Sequence, residues 1–170
     1  MINKNELIFA VDENNNPIEP AERWKAHAEG IWHRSSDIAV VNSKKEILCN
    51  KRSLQKDHSP GMWDGTFGGH TLAGQDSLAG AKQELLEESG LAADKLEFVA
   101  IVKYVDRNDT NKEFRYLYVY RWDGDLKELK LEAAEIDEAK WFPLHTLVEN
   151  KDNRQQWSPM PYLDELLAYI

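Results

Sequence analysis

The segment between residues 68 and 91, GGHTLAGQDSLAGAKQELLEESGL, constrains the fold more than any other part of the chain. A glycine-rich stretch leads into a run with helical periodicity, which is expected to start with Asp76 or Ser77 as its N-cap and to stop at Gly90. On a helical wheel two sets of residues fall on opposite faces: apolar Leu78, Ala81 and Leu85, and acidic Glu84, Glu87 and Glu88. The segment therefore predicts a helix that is buried along one side and negatively charged along the other.

Two explanations fit three glutamates on one helix face. Like charges at these spacings cost about 0.2–0.5 kcal/mol per pair, and solvent screens them, so a hydrated acidic surface is one explanation. The other is a site for a hard divalent cation, because Mg²⁺ binds carboxylates together with substrate phosphates. The preceding segment 57–70, DHSPGMWDGTFGGH, favours the cation, since its glycines and proline bend the chain and expose backbone N–H groups near the helix.

Composition narrows the class of protein. A length of 170 residues suits one domain over residues 1–170, and the 42% hydrophobic content supports a buried core. The net charge of −9 and the lack of a Lys/Arg cluster argue against nucleic-acid polymers as partners. Because an acidic protein repels a small polyanion, such a substrate needs bound cations or a few local basic side chains.

The sequence also bears on location. A single cysteine, Cys49, excludes an internal disulfide framework, and residues 1–30 lack the apolar stretch of a signal peptide. No run of 18 apolar residues is present, so no membrane span is expected. We therefore predict a cytoplasmic protein without a membrane partner.

The rest of the chain is typical of a sheet with short helices, and no linker divides it. The predicted elements are a strand at 6–11, an irregular segment or short helix at 21–29, a hairpin of 38–41 with 47–51, a long hairpin of 96–105 with 113–122, a strand at 139–144 and an amphipathic C-terminal helix at 161–170.

The glycine-to-helix segment resembles the signature of the Nudix hydrolase superfamily, G-x5-E-x7-R-E-U-x-E-E-x-G-U, where U is a bulky apolar residue. The match is in register, and the agreeing positions are Gly69, Glu84, Leu85, Glu87, Glu88, Gly90 and Leu91. The resemblance implies an α/β (α+β) fold, the Nudix-type α/β/α sandwich with a mixed central sheet. It also assigns metal binding to the three glutamates.

Two positions depart from this signature. Gln75 stands where the pattern has its first glutamate, and Gln83 stands where it has arginine. In the family these two residues are expected to interact and to brace the loop against the helix. The two glutamines are therefore either a neutral hydrogen-bonded substitute for an ion pair or a sign that activity has decayed.

The similarity extends over most of the chain. The runs AHAEGIWHRSSDIAVV, KRSLQKDHSPGMWDGTFGGH and WSPMPYL resemble type I isopentenyl-diphosphate isomerase and its hydrolase-like relatives. The isomerase requires an acid–base cysteine, and that position is Gly68 here. Cys49 lies in a predicted strand, where a buried structural thiol is expected. We therefore predict shared ancestry with the isomerases without their activity.

The metal site of those isomerases is also incomplete in this sequence. His27, His33 and His70 resemble its histidine ligands, although the interval between the first two is one residue shorter. Of its two strand glutamates, Glu113 is present and Arg115 stands near the position of the second. For His27 and His33 a structural role is the favoured explanation, and for His70 both roles stay open.

The resemblance and the residues together predict a metal-dependent hydrolase that cleaves a diphosphate linked to an organic group, with Mg²⁺ as cofactor and Mn²⁺ as an alternative. The expected general base is a glutamate of the signature (Glu84, Glu87 or Glu88) or, outside it, Glu113 or Glu135. The expected substrate-binding residues are Lys51, Arg52, Lys56, Gly69 and His70, with a solvated strand end as the alternative for the basic three.

A second prediction, motivated by Gln75 and Gln83, is a non-catalytic Nudix-fold module that binds a nucleotide or diphosphate. The expected partner in both cases is a small-molecule diphosphate. Nucleoside, sugar and prenyl groups all stay open as its organic part. Dimers are common in the family, so a homodimer is the expected assembly.

Overall fold

The computed structural model of the protein describes residues 6–170 and contains a mixed sheet with helices on both faces. The strands are β1 (Leu7–Ile8), β2 (Ala21–Glu22), β3 (His33–Val41), β4 (Glu46–Arg52), β5 (Trp63–Asp64), β6 (Glu97–Val105), β7 (Lys112–Arg121) and β8 (Ile136–Pro143). The helices are α1 (Arg23–Glu29), α2 (Ser77–Ser89), α3 (Leu144–Asn150) and α4 (Leu163–Tyr169), with a 3₁₀ turn at Leu126–Glu128. No helix within this part of the chain is long and apolar enough to cross a membrane.

The central sheet is ordered β5-β4-β3-β7-β6, and β8 pairs with β4. Strands β3 and β7 run parallel with His33 opposite Glu113, whereas β6 and β7 form the predicted long antiparallel hairpin. Strands β3 and β4 share one register pair, Val41 with Ile47, before they diverge. Segment 63–72 fills the gap, because β5 pairs with β4 and Phe67 then bridges to Ile38. The glycine-rich loop is therefore inserted into the sheet beside β3.

Alternation along β3 separates two apolar layers, as expected for a strand buried on both faces. Ile38 and Val40 pack with the α2 side chains, whereas Ala39 and Val41 pack with residues of α3 and α4. These two layers confirm the expected α/β/α sandwich. A small third cluster packs around Ile8 in the N-terminal part of the described chain.

Helix α2 has the predicted ends. Asp76 accepts hydrogen bonds from the backbone N–H groups of Leu78 and Ala79, and Gly90 ends the helix in the left-handed region with φ 77°. Ala81 is fully buried as predicted, but Leu78 is 39% exposed, so the expectation that it lies on the buried face is wrong. Leu78 lies in the first helical turn and lines a surface pocket with Phe98, Tyr116 and Tyr118 of the sheet, which cover it only in part.

The other elements largely follow the sequence pattern. Segment 21–29 contains a two-residue strand and the short helix α1, and the C-terminal helix is confirmed as α4. Strand β3 starts at His33, five residues before its predicted start, because its polar first half pairs with β7 across the sheet. Cys49 is fully buried in β4, as predicted for a structural thiol.

Candidate active site

A cleft of about 1110 Å³ opens where α2, the glycine-rich segment and the first halves of β3 and β7 meet. It gathers nearly all of the residues predicted from sequence: Glu84, Glu87, Glu88, Glu113, Glu135, Arg52, Lys56, Gly69 and His70. Lys51 does not line the cleft, because successive residues of β4 point to opposite sides and its neighbours Asn50 and Arg52 are the ones that face the cleft. Trp63 is likewise used in packing, against Phe142 and Trp157.

The carboxylate end of the cleft is formed by α2. Glu88 is 8% exposed, and its Oε2 accepts a 2.9 Å hydrogen bond from the backbone N–H of Gly68. Burial and the nearby Glu84 raise the pKa of Glu88 to about 8, and burial and Glu87 raise the pKa of Glu84 to about 7. The buried Glu88 and the half-buried Glu84, with too few cations around them, are a donor set for a divalent ion, and a hydrated acidic surface does not describe them.

The two loop glycines allow this close packing. A Cβ at Gly69 would lie 2.7 Å from Glu84 Oε2, so only glycine lets this carboxylate lie against the loop. A Cβ at Gly68, which has φ 143°, would lie 1.9 Å from the carbonyl oxygen of Ser36. The positions therefore require glycine for two different reasons, side-chain approach at one and backbone approach at the other.

Gln75 and Gln83 form a hydrogen-bonded chain that leads to the carboxylates. Gln75 Nε2 donates to Gln83 Oε1 at 3.0 Å, and Gln83 Nε2 donates to Glu87 Oε1 at 2.7 Å. Gln75 Oε1 in turn accepts from the backbone N–H of Leu72. The glutamines thus brace loop against helix with neutral groups, which is the first of the two explanations offered for them.

Basic side chains lie on the opposite wall. The Lys56 ammonium forms an ion pair with Glu135 Oε2, and it also lies close enough to lower the pKa of Glu84 and Glu88 against the larger effect of burial. Arg52 Nη1 lies 3.7 Å from Asp64 Oδ2. These two cations give a phosphate two positive neighbours beside the acidic helix.

Three histidines meet at the other end of the cleft. His27 from α1, His33 at the start of β3 and His70 after the glycine-rich loop offer ring nitrogens that all lie within 4.8 Å of one another. His27 Nε2 lies 3.2 Å from His70 Nε2. Burial and the neighbouring His33 lower the pKa of His27 to about 4 and that of His70 well below its ordinary value, which keeps both rings neutral.

His33 is oriented as a metal ligand. Its Nδ1 lies 2.9 Å from the backbone oxygen of Ile31 and donates to it, so Nε2 is left as the acceptor. That Nε2 is buried and has no hydrogen-bond partner within residues 6–170. A purely structural histidine would satisfy both nitrogens, so the geometry of His33 favours a ligand over the structural role expected from sequence, whereas His27, which contacts His70, is left open between the two.

Glu113 lies beside this cluster. Its Oε1 is 3.6 Å from His33 Nε2 and 3.8 Å from His70 Nε2, and its Oε2 is 3.6 Å from Arg115 Nε. Burial alone would raise the pKa of Glu113, but His33, Arg115 and His70 outweigh burial and hold the pKa far below its ordinary value. Glu113 is therefore an ionised carboxylate within reach of an ion held by the histidines.

Several cleft residues carried no sequence signal. Asp37 of β3 and Asp64 of β5 are buried in the cleft floor, and His58 lies with its ring centroid 5.6 Å from that of His27. Glu132 and Arg154 line the cleft from loops. None of these lies in a recognisable motif, and the parallel pairing of β3 with β7 is what brings their surroundings together.

The fold and the cleft define an α/β/α protein with an acidic site of the metal-binding type. The model of the NUDIX domain matches residues 31–163, and the chain therefore belongs to the NUDIX family. An isopentenyl-diphosphate delta-isomerase of Burkholderia multivorans is 32% identical over 147 residues, which cover 85% of this chain and 81% of that protein.

Solved structures agree on the fold. DR0079 from Deinococcus radiodurans superposes with a TM-score of 0.72 and 19% identity, covering 96% of this chain and 98% of that one. The NUDIX domain of NrtR from Shewanella oneidensis, in complex with ADP ribose, superposes with a TM-score of 0.59 and 14% identity, covering 79% and 83% of the two chains. At these identities the likeness concerns the fold alone.

Proposed function

We propose that the protein is a Mg²⁺-dependent hydrolase that cleaves the diphosphate linkage of a small molecule, with Mn²⁺ as an alternative cofactor. The observation that carries the proposal is the pair formed by the buried Glu88 and the half-buried Glu84, which lies against the Gly68–Gly69 backbone in the same cleft as Arg52 and Lys56. Membership of the NUDIX family supports the same reaction class.

The residues present fit the expected metal. A divalent ion bound by Glu84, Glu87 and Glu88 would neutralise charge on the phosphate oxygens and acidify an attacking water. Arg52 and Lys56 bind and orient the diphosphate from the opposite wall. The remaining carboxylates of the cleft, Glu113 and Glu135 among them, are the candidates that accept the proton of the water.

The histidine cluster suits a different ion. Imidazole nitrogens favour transition-metal dications such as Zn²⁺ or Mn²⁺ over Mg²⁺, and Glu113 adds a carboxylate beside them. We therefore propose that the cleft has two metal preferences, one at each end. His70, expected from sequence to bind substrate, belongs with His27 and His33 in this proposal.

Isomerase activity is not part of the proposal, although relatives carry that name. Gly68, which stands at the position of the isomerase cysteine, cannot carry a side chain without a backbone shift at Ser36. The thiol of Cys49 is fully buried in the core, and burial raises its pKa well above the ordinary value, so it is a poor proton donor or acceptor for a substrate.

Phosphate release from a panel of nucleoside, sugar and prenyl diphosphates tests the proposal, with isopentenyl diphosphate also assayed for isomerisation. We expect turnover with Mg²⁺ that is abolished by EDTA and by Glu87→Gln, a change at an exposed helix position that leaves the fold intact. Glu149→Gln, at an exposed position of α3, is the matched control and should keep full activity.

Two results would overturn the proposal. Raised melting temperatures with diphosphates but no turnover would identify the alternative, a binding module whose ligand stabilises only the native state. Isomerisation without hydrolysis would restore the isomerase function. A single domain over residues 1–170, a cytoplasmic location, a homodimer and the absence of nucleic-acid and membrane partners stay predictions.

A further inference from the structure

The floor of the cleft between the carboxylate and histidine ends is charged. Arg115 of β7 makes a two-pronged ion pair with Asp37 of β3, with Nε 2.7 Å from Oδ2 and Nη2 2.5 Å from Oδ1. Asp37 is 3% exposed, and the Arg115 side chain keeps 16% exposure. The Tyr104 ring lies 5.5 Å from the guanidinium carbon. The pair is therefore part of the surface that a bound molecule touches.

We propose that this floor makes Arg115 and Asp37 specificity-determining residues, which select a diphosphate whose organic group carries hydroxyl or amine donors and reject one with a hydrocarbon chain. The inference rests on the proposed diphosphate site and names the class of its organic part. It departs from the substrate in the name of the Burkholderia multivorans relative, whose isopentenyl group is a hydrocarbon.

Unused hydrogen-bonding capacity supports the choice of a hydrophilic group. Ser158 Oγ lines the cleft, is buried and has no hydrogen-bond partner in the described part of the chain, and Ser35 Oγ is in the same situation. Asp64 Oδ1 accepts from the N–H and the hydroxyl of Thr66, whereas Oδ2 faces Arg52 at 3.7 Å, too far for a hydrogen bond. The Asp64 Oδ2 can accept from a hydroxyl or amine of a ligand, whereas the two serine hydroxyls are covered and need a small side-chain rotation to meet one.

The balance of charge points the same way. Three carboxylates lie at the floor, those of Asp37, Asp64 and Glu113, against the two guanidinium groups of Arg52 and Arg115. Arg154, which lines the cleft beside Ser158, brings the cations level with the carboxylates in number. Because each carboxylate can accept several hydrogen bonds, the floor still has acceptor capacity that a ligand can use. Groups that donate hydrogen bonds, namely hydroxyls and amines, complement such a surface, whereas a second anionic group does not.

A hydrocarbon group would bind weakly at this floor. Covering the Arg115–Asp37 pair with methylene and methyl groups removes its remaining water contact and offers nothing in exchange, and an ion pair is costly to desolvate. Apart from the Tyr104 ring, the apolar side chains in the cleft lining are few and scattered: Met62, Val105, Ile136, Trp157 and Pro159. They do not form the continuous apolar wall on which a prenyl group depends for its binding energy.

A matched pair of ligands tests the proposal on the unmodified protein. Dimethylallyl diphosphate and its 4-hydroxy derivative differ by a single hydroxyl, and UDP-glucose adds several; inorganic pyrophosphate measures the affinity of the diphosphate alone. Calorimetry with Mg²⁺ should show the hydroxylated five-carbon ligand and UDP-glucose binding at least tenfold tighter than dimethylallyl diphosphate. Dimethylallyl diphosphate should bind no tighter than pyrophosphate.

Replacing both charges, Asp37→Leu with Arg115→Met, tests the two named residues. Removal of both partners leaves neither Asp37 nor Arg115 unpaired, and Glu113, which also faces Arg115 at 3.6 Å, keeps His33 and His70 as neighbours, so the fold should survive. The preference between the two five-carbon ligands should fall at least tenfold or invert. The control is Glu97→Leu with Arg121→Met, a similar ion pair at the far edge of the sheet and outside the cleft, which should leave the preference unchanged.

The outcomes separate this inference from the proposed hydrolysis. Selective binding of hydroxylated ligands without phosphate release would support the proposed selectivity of the cleft floor and overturn the proposed hydrolase function. Hydrolysis of dimethylallyl diphosphate, together with tighter binding of it than of the hydroxylated ligands, would support the hydrolase function and overturn the proposed selectivity of the floor. Equal binding of all ligands by the unmodified protein, or no binding of any, also overturns the inference, as does an unchanged preference in the folded cleft variant.

Discussion

The two ends of the cleft are assembled in opposite ways. Glu84, Glu87 and Glu88 come from two turns of one helix, so their spacing alone brings them together. The histidine end draws His27 from α1, His33 from β3 and Glu113 from β7, and only the parallel pairing of β3 with β7 makes neighbours of the last two. A site whose residues lie within one helix can be predicted from sequence spacing, whereas a site assembled from several elements can be recognised only in the tertiary structure.

The protein also handles charge differently at the two ends. The carboxylate end concentrates negative charge, which burial and mutual repulsion make costly without a bound cation. The histidine end keeps the rings of His27 and His70 neutral and has a single carboxylate, Glu113, which Arg115 partly balances. The first arrangement suits a hard ion that binds phosphate oxygens, and the second suits a softer ion held by imidazole.

The largest expected effect is the loss of activity in Glu88→Gln. We expect phosphate release to fall on the order of 100-fold or more, because a metal ligand supplies several kcal/mol and each 1.36 kcal/mol is a factor of about ten. The melting temperature of the metal-free variant at pH 8 should not fall, since the change removes a buried charge. A variant that loses activity because it unfolds would contradict the assigned role.

The histidine end should show its own metal. His27→Ala should weaken binding of Zn²⁺ or Mn²⁺ by about 10- to 100-fold at one of two sites, in line with the effect of losing a histidine contact at metal sites. Metal content after dialysis, measured by elemental analysis, gives the readout. His145→Ala, at an exposed position of α3, is the control. Equal metal content in both variants would leave the histidines with a structural role only.

A smaller effect is expected for the glutamine chain. Gln83→Ala removes the 2.7 Å hydrogen bond to Glu87, so Mg²⁺ affinity should weaken about tenfold as Glu87 loses its fixed orientation. Titration calorimetry measures this affinity. The control is Gln155→Ala, at an exposed position far in sequence from the signature segment. The double change Gln75→Glu with Gln83→Arg, which installs the family's ion pair, should retain affinity. An unchanged Mg²⁺ affinity in Gln83→Ala would show that the glutamine chain does not contribute to metal binding.

The smallest expected effect is a dependence of metal-free stability on pH. The unfolded glutamates lose their protons near the ordinary pKa of 4.5, whereas the folded Glu84 and Glu88 do so near 7 and 8. Between these values the folded protein binds more protons, so the free energy of unfolding falls as the pH rises. Below the ordinary histidine pKa of 6.5, His27 and His70 oppose this trend, because they are protonated in the unfolded chain and neutral in the folded one. Thermal melts in EDTA should therefore drop by a few degrees from pH 7 to pH 8.5, above that range. Added Mg²⁺ should remove the drop, and a rise with pH would refute the burial of these charges.

Sequence and structure agree most closely where the signal is local. The ends of α2, the long β6–β7 hairpin and the C-terminal helix follow from caps, turn residues and periodicity. The failures are non-local. The polar start of β3, HRSSD, shows no alternation of apolar residues, so its five residues were not expected in a strand; pairing with β7 and with segment 67–72 holds them there.

The positions of individual side chains also depend partly on local spacing and partly on the tertiary structure. Lys51 and Arg52 are neighbours in sequence with the same charge, yet only Arg52 lines the cleft, because successive residues of a strand point to opposite sides. Leu78 has the spacing of a buried residue, but its sheet neighbours Phe98, Tyr116 and Tyr118 cover it only in part. Local spacing predicts which residues share a face, and the neighbouring elements decide what that face meets.

The sequence by itself determined the helix with its three glutamates, the glycines before it and the membership in an α/β/α family, because each depends on residues a few positions apart. Only the tertiary structure decided that Glu88 is buried and Glu84 half-buried, that three histidines converge with Glu113, and that Arg115 and Asp37 form the cleft floor. These features join residues tens of positions apart, and the energies that shift their pKa values arise from burial, which exists only once the sheet and helices have packed.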